Sequence, residues 1–185
     1  MDSFSFYLSY YGLILGLSVT QVASGLLNAI GARHRVKIGL LTLALATFIL
    51  LDITSFWIFA WAIRDSISIN WATMYVGLLI ALVYFVASGL VFPRTIDEWP
   101  DLDVYYWQHK RLVIVGILIP NVIIFTQSVL YHPPKVNWAY LFAQVTYWPP
   151  VVLLLFSRRR WQDLTLLGIA IVGYVANAFI PNWAL

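Results

Sequence analysis

The stretch "ILLDITSFW" places one acid, Asp52, inside an otherwise apolar run. A rise of about 1.5 Å per residue from Ile38 sets it about 20 Å along its helix. An ionised carboxylate at that depth in a bilayer costs at least about 2.5 kcal/mol, so such a residue turns to the bundle interior and marks a proton relay, an ion site or a polar ligand pocket. No Lys or Arg lies in a span at that depth to pair with it. The same counting brings Gln127, Gln144 and Asn177 to comparable heights, so Asp52, Gln127, Gln144 and Asn177 are expected to share one polar layer in the outer half of the bundle. Asn121 and Gln21 come out deeper, toward the cytoplasm. A carboxyl ringed by amides suits the handling of protons or cations. The bland alternative is interhelical hydrogen bonding, at about 0.6 kcal/mol per contact.

A second concentration of polar groups occupies "FPRTIDEWPDLDVYYWQHKRLVIVG", residues 92–116. Pro93 should end one helix, and Glu98 or Asp101 should cap the next, which nothing then breaks before Pro120. On that helix Asp103, Tyr106, Trp107 and Lys110 fall on one face, at i, i+3, i+4 and i+7, and apolar positions nearly all the way round suit packing beneath the bundle or against another subunit. Glu98, Asp101, Asp103 and His109 have metal-ligand chemistry, but acids at a helix start also complement its dipole and require no ion. The expectation is therefore no metal. Instead, Glu98, Asp101, Asp103, Tyr106, His109 and Lys110 form a candidate partner surface, with salt bridges from its acids to Arg33, Arg35 or Arg158–Arg160.

The elements that position these residues follow from composition. At 62% hydrophobic and only 10% charged, the chain departs far from a soluble domain, whose charged share is about a quarter. Lipid bilayer is its expected surrounding. Segments long enough to cross about 30 Å of hydrocarbon run approximately 8–30, 38–63, 71–92, 111–131, 137–156 and 163–182. The sequence thus predicts an all-α membrane protein in which 1–185 is a single six-helix domain, with a cytoplasmic helical extension before helix 4. Pro120, Pro149 and Pro150 should kink helices 4 and 5. Gly12, Gly16, Ser24 and Gly25 on helix 1 make a small-residue stripe suited to close packing.

Cations set the direction. Arg33, Arg35, Lys37, Arg94, Lys110, Arg111, Arg158, Arg159 and Arg160 all fall in or beside alternate connections, against only Arg64 and Lys135 in the others. Cytoplasmic loops carry such an excess, which places both termini outside. The opening has an acid and no cation, unlike the charged start of a signal peptide, so helix 1 should be retained. Tyr7, Tyr10, Tyr11, Trp61, Trp71, Tyr131, Trp138 and Trp183 then gather at the outer boundary, and Trp99, Trp107 and Trp161 at the inner one. A 3+3 inverted repeat is compatible with this topology, but the two halves share no evident sequence similarity.

Several chemistries are set aside. The chain has no cysteine, which removes disulfides, thiolate metal sites and cysteine nucleophiles. His34 and His109 fall at the inner edge and His132 at the outer, so no histidine pair spans a haem, and no lysine within a span could hold retinal. No nucleophile–base pair shares one polar region, and the clustered cations form no nucleic-acid face. Neither catalysis nor a bound cofactor is expected.

The "ARHRVKIG", "LLDITSFW" and "WPDLDVYYWQHKR" segments together resemble small, uncharacterised six-helix inner-membrane proteins of bacteria. The resemblance implies that location and no activity. The expected function is a small channel or transporter for protons or cations built around Asp52, which a homo-oligomer would support; the alternatives are a noncatalytic assembly subunit or sensor whose 93–110 segment binds a protein partner, and then a binder of a lipophilic ligand or cofactor.

Overall fold

The computed structural model describes residues 3–66, 68–131 and 133–179. It is all-α, with six helices: α1 (Ser3–Gly31), α2 (Leu40–Ala62), α3 (Trp71–Gly89), α4 (Leu102–Tyr131), α5 (Trp138–Leu154) and α6 (Arg160–Ala178). Short 3-10 turns at Arg64–Ser66 and Ile96–Glu98 lie in two of the connections. Among the described residues four helices, α1 to α4, are long and apolar enough to cross a membrane. The chain is a multi-pass membrane protein on that ground, and its many exposed Leu, Ile and Val side chains, such as Leu13, Leu27, Leu112 and Val172, are the surface a bilayer covers.

One boundary differs from expectation and the next agrees with it. Helix α3 stops at Gly89, four residues before Pro93, and α4 begins at Leu102, so its first turns carry the "DVYYWQHKR" segment as the expected extension. Helices α4 and α5 run unbroken through Pro120 and through Pro149 and Pro150. The expected end of helix 6 at 182, together with Trp183 and His132, lies outside the described residues, as does the side chain of Tyr131.

Helix α2 is the hub, packing on α1, α4 and α6, while α3 bridges α1 and α4 and α5 lies along α6. Small residues permit the closest approaches. A Cβ on Gly116 would stand 2.9 Å from the Ala87 methyl, so α4 and α3 meet nearly backbone to backbone, and Gly173 likewise lets the Thr146 side chain of α5 press on α6. On α1, Gly12 and Gly25 face Trp57 and Phe92, whereas Gly16 has no neighbour. Tyr11, expected in the outer belt, is buried in the core beside Tyr7, while Trp61, Trp71 and Trp138 are exposed.

The alternate connections are tied together at one end of the bundle. The Asp101 side chain accepts the Asp103 N–H at 2.8 Å and caps α4, while Asp103 reaches across to cap α2, accepting from the N–H of Leu41 at 3.0 Å and of Thr42 at 3.2 Å. Gly39 leaves room for this carboxylate, since any Cβ there would overlap it. Backbone pairing of Lys37 with Pro100 and Leu102 continues the seam. Ion pairs Lys37–Asp101 (3.1 Å), Arg160–Asp103 (3.3 Å) and Arg35–Asp97 (3.4 Å) join all three cation-rich loops. Replacing Asp103 by Ala strands two helix-start N–H groups and should cost about 2 kcal/mol, with Asn costing less because it still accepts; denaturant unfolding in detergent measures both.

Asp101 makes the same seam sensitive to acid. Burial pushes its carboxyl up, but the Asp103 N–H and the Lys37 ammonium outweigh that and hold it below the ordinary carboxylate value. A lowered folded value means that the contribution is complete above the unfolded value of about 3.9 and is lost as pH falls through the folded one. The protection factor of the Asp103 amide, its exchange rate relative to the intrinsic rate at each pH, should therefore fall at acidic pH in the parent and be already low and insensitive to pH in Asp101→Ala.

Candidate functional site

Asp52 is fully buried in α2, and the bundle satisfies it from three other helices. The Tyr84 hydroxyl of α3 donates to Oδ2, and the Tyr174 hydroxyl of α6 donates to Oδ1. From α4, the Asn121 amide donates to Oδ2 at 3.1 Å and to the Tyr84 oxygen at 2.8 Å. The Tyr147 hydroxyl of α5 is buried and directed at the same carboxylate, but makes no hydrogen bond of normal geometry. Rings seat the hydroxyls: Phe56 meets Tyr84 edge-on at 4.7 Å, and Phe48 lies 6.2 Å from both Tyr147 and Tyr174. Among the described residues no cation contacts Asp52.

Above this cluster a cavity of about 480 Å³ opens between α2, α4, α5 and α6. Its floor is Ser55, Asn121, Tyr147, Tyr174 and Asn177, and its rim is Ile63 with the 133–137 connection. The span from Asp52 to Ala62 makes it about 15 Å deep. Its volume lies within the range of about 300–1,000 Å³ usual for small-molecule pockets. Asn177 is 6% exposed, and its amide oxygen has no hydrogen-bond partner. Such a group in a membrane core is costly unless something in the cavity meets it. Beneath the floor the core is shut: Phe48, Ile49, Ile114, Ile117, Val151 and Leu167 have no exposure.

The expected polar layer is thus partly assembled. Asp52 and Asn121 are in direct contact, which moves Asn121 up from the deeper level assigned to it. Gln144 accepts the Trp148 indole N–H at 2.7 Å on the cavity wall, and Asn177 lies on its floor. Gln127 and Gln21 are exposed on the outer faces of α4 and α1, away from the cluster. Six residues beyond Asn121 carry Gln127 about 9 Å past the level of Asp52 and about 240° around the helix, onto another face.

The residues expected to form a partner surface have internal duties. Asp103, Tyr106 and Lys110 are buried, Asp101 caps α4, and His109 is half-buried with its ring stacked 4.0 Å from that of Tyr105. Glu98 alone of the six is fully exposed. The Lys110 ammonium donates to Asp163 at 2.7 Å and to the Ser157 carbonyl and hydroxyl at 2.7 and 3.1 Å, and it lies 4.3 Å from the Trp107 ring centroid. Tyr106 donates to Asp163 at 2.8 Å, and the Ser157 hydroxyl also donates to Asp163. Every donor of the ammonium is satisfied, so this knot locks α4 to the α5–α6 turn. No group of three or more metal-ligating side chains occurs among the described residues.

Tyr84, Tyr147, Tyr174 and Asp163 escaped the sequence reading. A mid-helix tyrosine needs a hydroxyl partner when buried, which is the signal that could have found the first three.

Fold and site together define a polytopic helical membrane protein with a polar-floored cavity. No family model matches the chain, and neither a curated protein nor a solved structure is detectably similar to it.

Asp52→Ala would leave the Tyr84 and Tyr174 hydroxyls without their acceptor in the core, while Asn121 keeps the Tyr84 oxygen and the Ile117 carbonyl, and should lower stability by several kcal/mol, on the order of 1–3 kcal/mol per stranded group, whereas Tyr84→Phe should cost about 1–2 kcal/mol. Unfolding in detergent ranks them. An Asp52→Ala protein as stable as the parent would mean that the carboxylate does not organise the cluster.

Proposed function

We propose that this chain spans the inner membrane six times, with both termini outside, and binds a small amphiphilic ligand in the α2–α4–α5–α6 cavity. The observation that carries the reading is the floor: a fully buried carboxylate and, beside it, a buried amide without a partner, at the closed end of a cavity of ligand size. Orientation rests on the cations. The three cation-rich connections meet through ion pairs at the sealed end, which faces the cytoplasm by the excess of Lys and Arg there. The cavity accordingly opens outward, with Lys135 on its rim.

A transporter for protons or cations is the second reading, favoured by a carboxylate that no protein cation balances. A standing channel is less well supported, because the shut core under the floor interrupts the path. For a protein partner at 93–110, the internal engagement of Asp103, Tyr106 and Lys110 leaves little of the expected surface.

With no native cysteine, single replacements report access directly. Ser55→Cys should react with a small hydrophilic thiol reagent added outside, while Phe48→Cys should resist it from either side. Reaction of Ser55→Cys only from the cytoplasm would reverse the orientation, and none from either side would remove the cavity. Liposomes containing the parent protein should leak protons no faster than empty ones; a leak would restore the channel.

A further inference from the structure

At the cation-rich end the charges do not balance. Nine cations stand there, the Lys and Arg of the three alternate connections, against five acids, Asp97, Glu98, Asp101, Asp103 and Asp163. Four of these acids each hold one cation, as Arg35–Asp97, Lys37–Asp101, Arg160–Asp103 and Lys110–Asp163. Arg33, Arg94, Arg111, Arg158 and Arg159 are exposed, and among the described residues none of them forms an ion pair. A guanidinium keeps its charge at any physiological pH, so this end carries a standing positive excess that draws anions.

Two of the free arginines adjoin a groove. Between the end of α5 and the start of α6 is a hollow of about 320 Å³, whose lining is apolar at Leu153, Phe156, Trp161 and Leu166 and polar at Gln162 and Thr165. Arg158 directly follows Ser157, which also lines the groove, and Arg159 precedes Trp161 by two residues. The N-cap of α6, Arg159, makes no side-chain cap, so the positive end of that helix dipole lies open beside the same groove. Its level is fixed by α4. The Lys110 ammonium bonds both Ser157 and Asp163, and Lys110 and Arg111 are the last charges of α4, which has none from Leu112 to Tyr131. The α5–α6 turn therefore lies at the edge of the hydrocarbon, and Phe156 and Trp161, 71% and 61% exposed, stand at headgroup level.

We propose that the α5–α6 turn binds one anionic phospholipid. Its phosphate sits against Arg158 and Arg159, whose planar guanidinium groups match phosphate oxygens in paired hydrogen bonds, and an acyl chain descends along Leu153, Phe156 and Leu166. A zwitterionic lipid brings its own cation to the same arginines and binds less tightly. A free anion would use the arginines and leave the apolar lining uncovered, so the lining at hydrocarbon depth is what favours a lipid. The site is separate from the α2–α4–α5–α6 cavity, and it depends neither on what that cavity holds nor on which face of the membrane the turn occupies.

The test is native mass spectrometry of the full chain, released from detergent micelles after equilibration with phosphatidylglycerol or with phosphatidylcholine of the same acyl chains. Phosphatidylglycerol should be retained on the order of tenfold more tightly than phosphatidylcholine. Arg158→Gln with Arg159→Gln should lose that preference, while Arg33→Gln with Arg94→Gln, which removes the same charge elsewhere at this end, should keep it; a parent-like unfolding temperature in phosphatidylcholine shows that either pair is folded. Inorganic phosphate in excess should not displace the lipid. Equal retention of the two lipids by the parent protein would overturn the proposal whatever the variants do. So would loss of the preference in both double variants, which would mean a diffuse surface charge, or displacement by phosphate, which would mean a site for a free anion.

Discussion

A carboxylate without a counter-ion governs this molecule. Asp52 has no exposure, so every lone pair it carries must be met by protein, and its own helix cannot do so because the backbone N–H groups there are already committed to the α2 ladder. Three other helices therefore each deliver a donor to one point: Tyr84 from α3, Asn121 from α4 and Tyr174 from α6. Apolar packing in a bilayer has little hydrophobic drive, since lipid tails are as apolar as leucine. A polar point shared by four helices fixes their rotation and height in a way that interchangeable aliphatic contacts do not.

The two ends of the bundle solve different problems. At one, charge is neutralised pairwise: Asp103 caps α2 and meets Arg160, Asp101 caps α4 and meets Lys37, and Lys110 with Asp163 closes the α5–α6 turn against α4. Removing either member of a buried pair such as Lys110–Asp163 leaves a bare charge, which makes that end rigid and closed. At the other end α5 stands away from α2, and the space between them is the cavity. The asymmetry originates in the sequence, where acids and cations concentrate in alternate connections.

How much of this was legible depends on whether a property lies along a helix or around it. Six helices, their approximate ends and the exceptional status of Asp52 follow from runs of apolar residues, whereas a rise per residue counted from an uncertain helix end misplaces Asn121 and Gln127, since it is Asn121 that meets Asp52. Azimuth does not follow. Gln127 and Asn121 sit less than two turns apart on α4, yet one points outward and the other at Asp52, because in a helix apolar on all sides no stripe marks the inner face. Spacing places Asp103, Tyr106, Trp107 and Lys110 on one face, but it does not show the acid that Tyr106 and Lys110 share, because Asp163 is hidden in a polar helix start, "RRRWQD". Tyrosine near a helix end reads as an interface residue, a rule that is silent on Tyr84 and Tyr174 and that Tyr11, buried in the core, does not follow.

The consequence for function lies in the order of the layers. Had Asp52 faced the cavity directly, any solvated cation could approach it, and discrimination would rest on charge alone. Instead Tyr174 and Asn121, which bond the acid, line the cavity while Asp52 itself does not. The bonds that satisfy the buried acid are therefore also the bonds that close the cavity floor and fix which side chains line it: the interaction that sets the rotation of the helices sets the shape of the space between them.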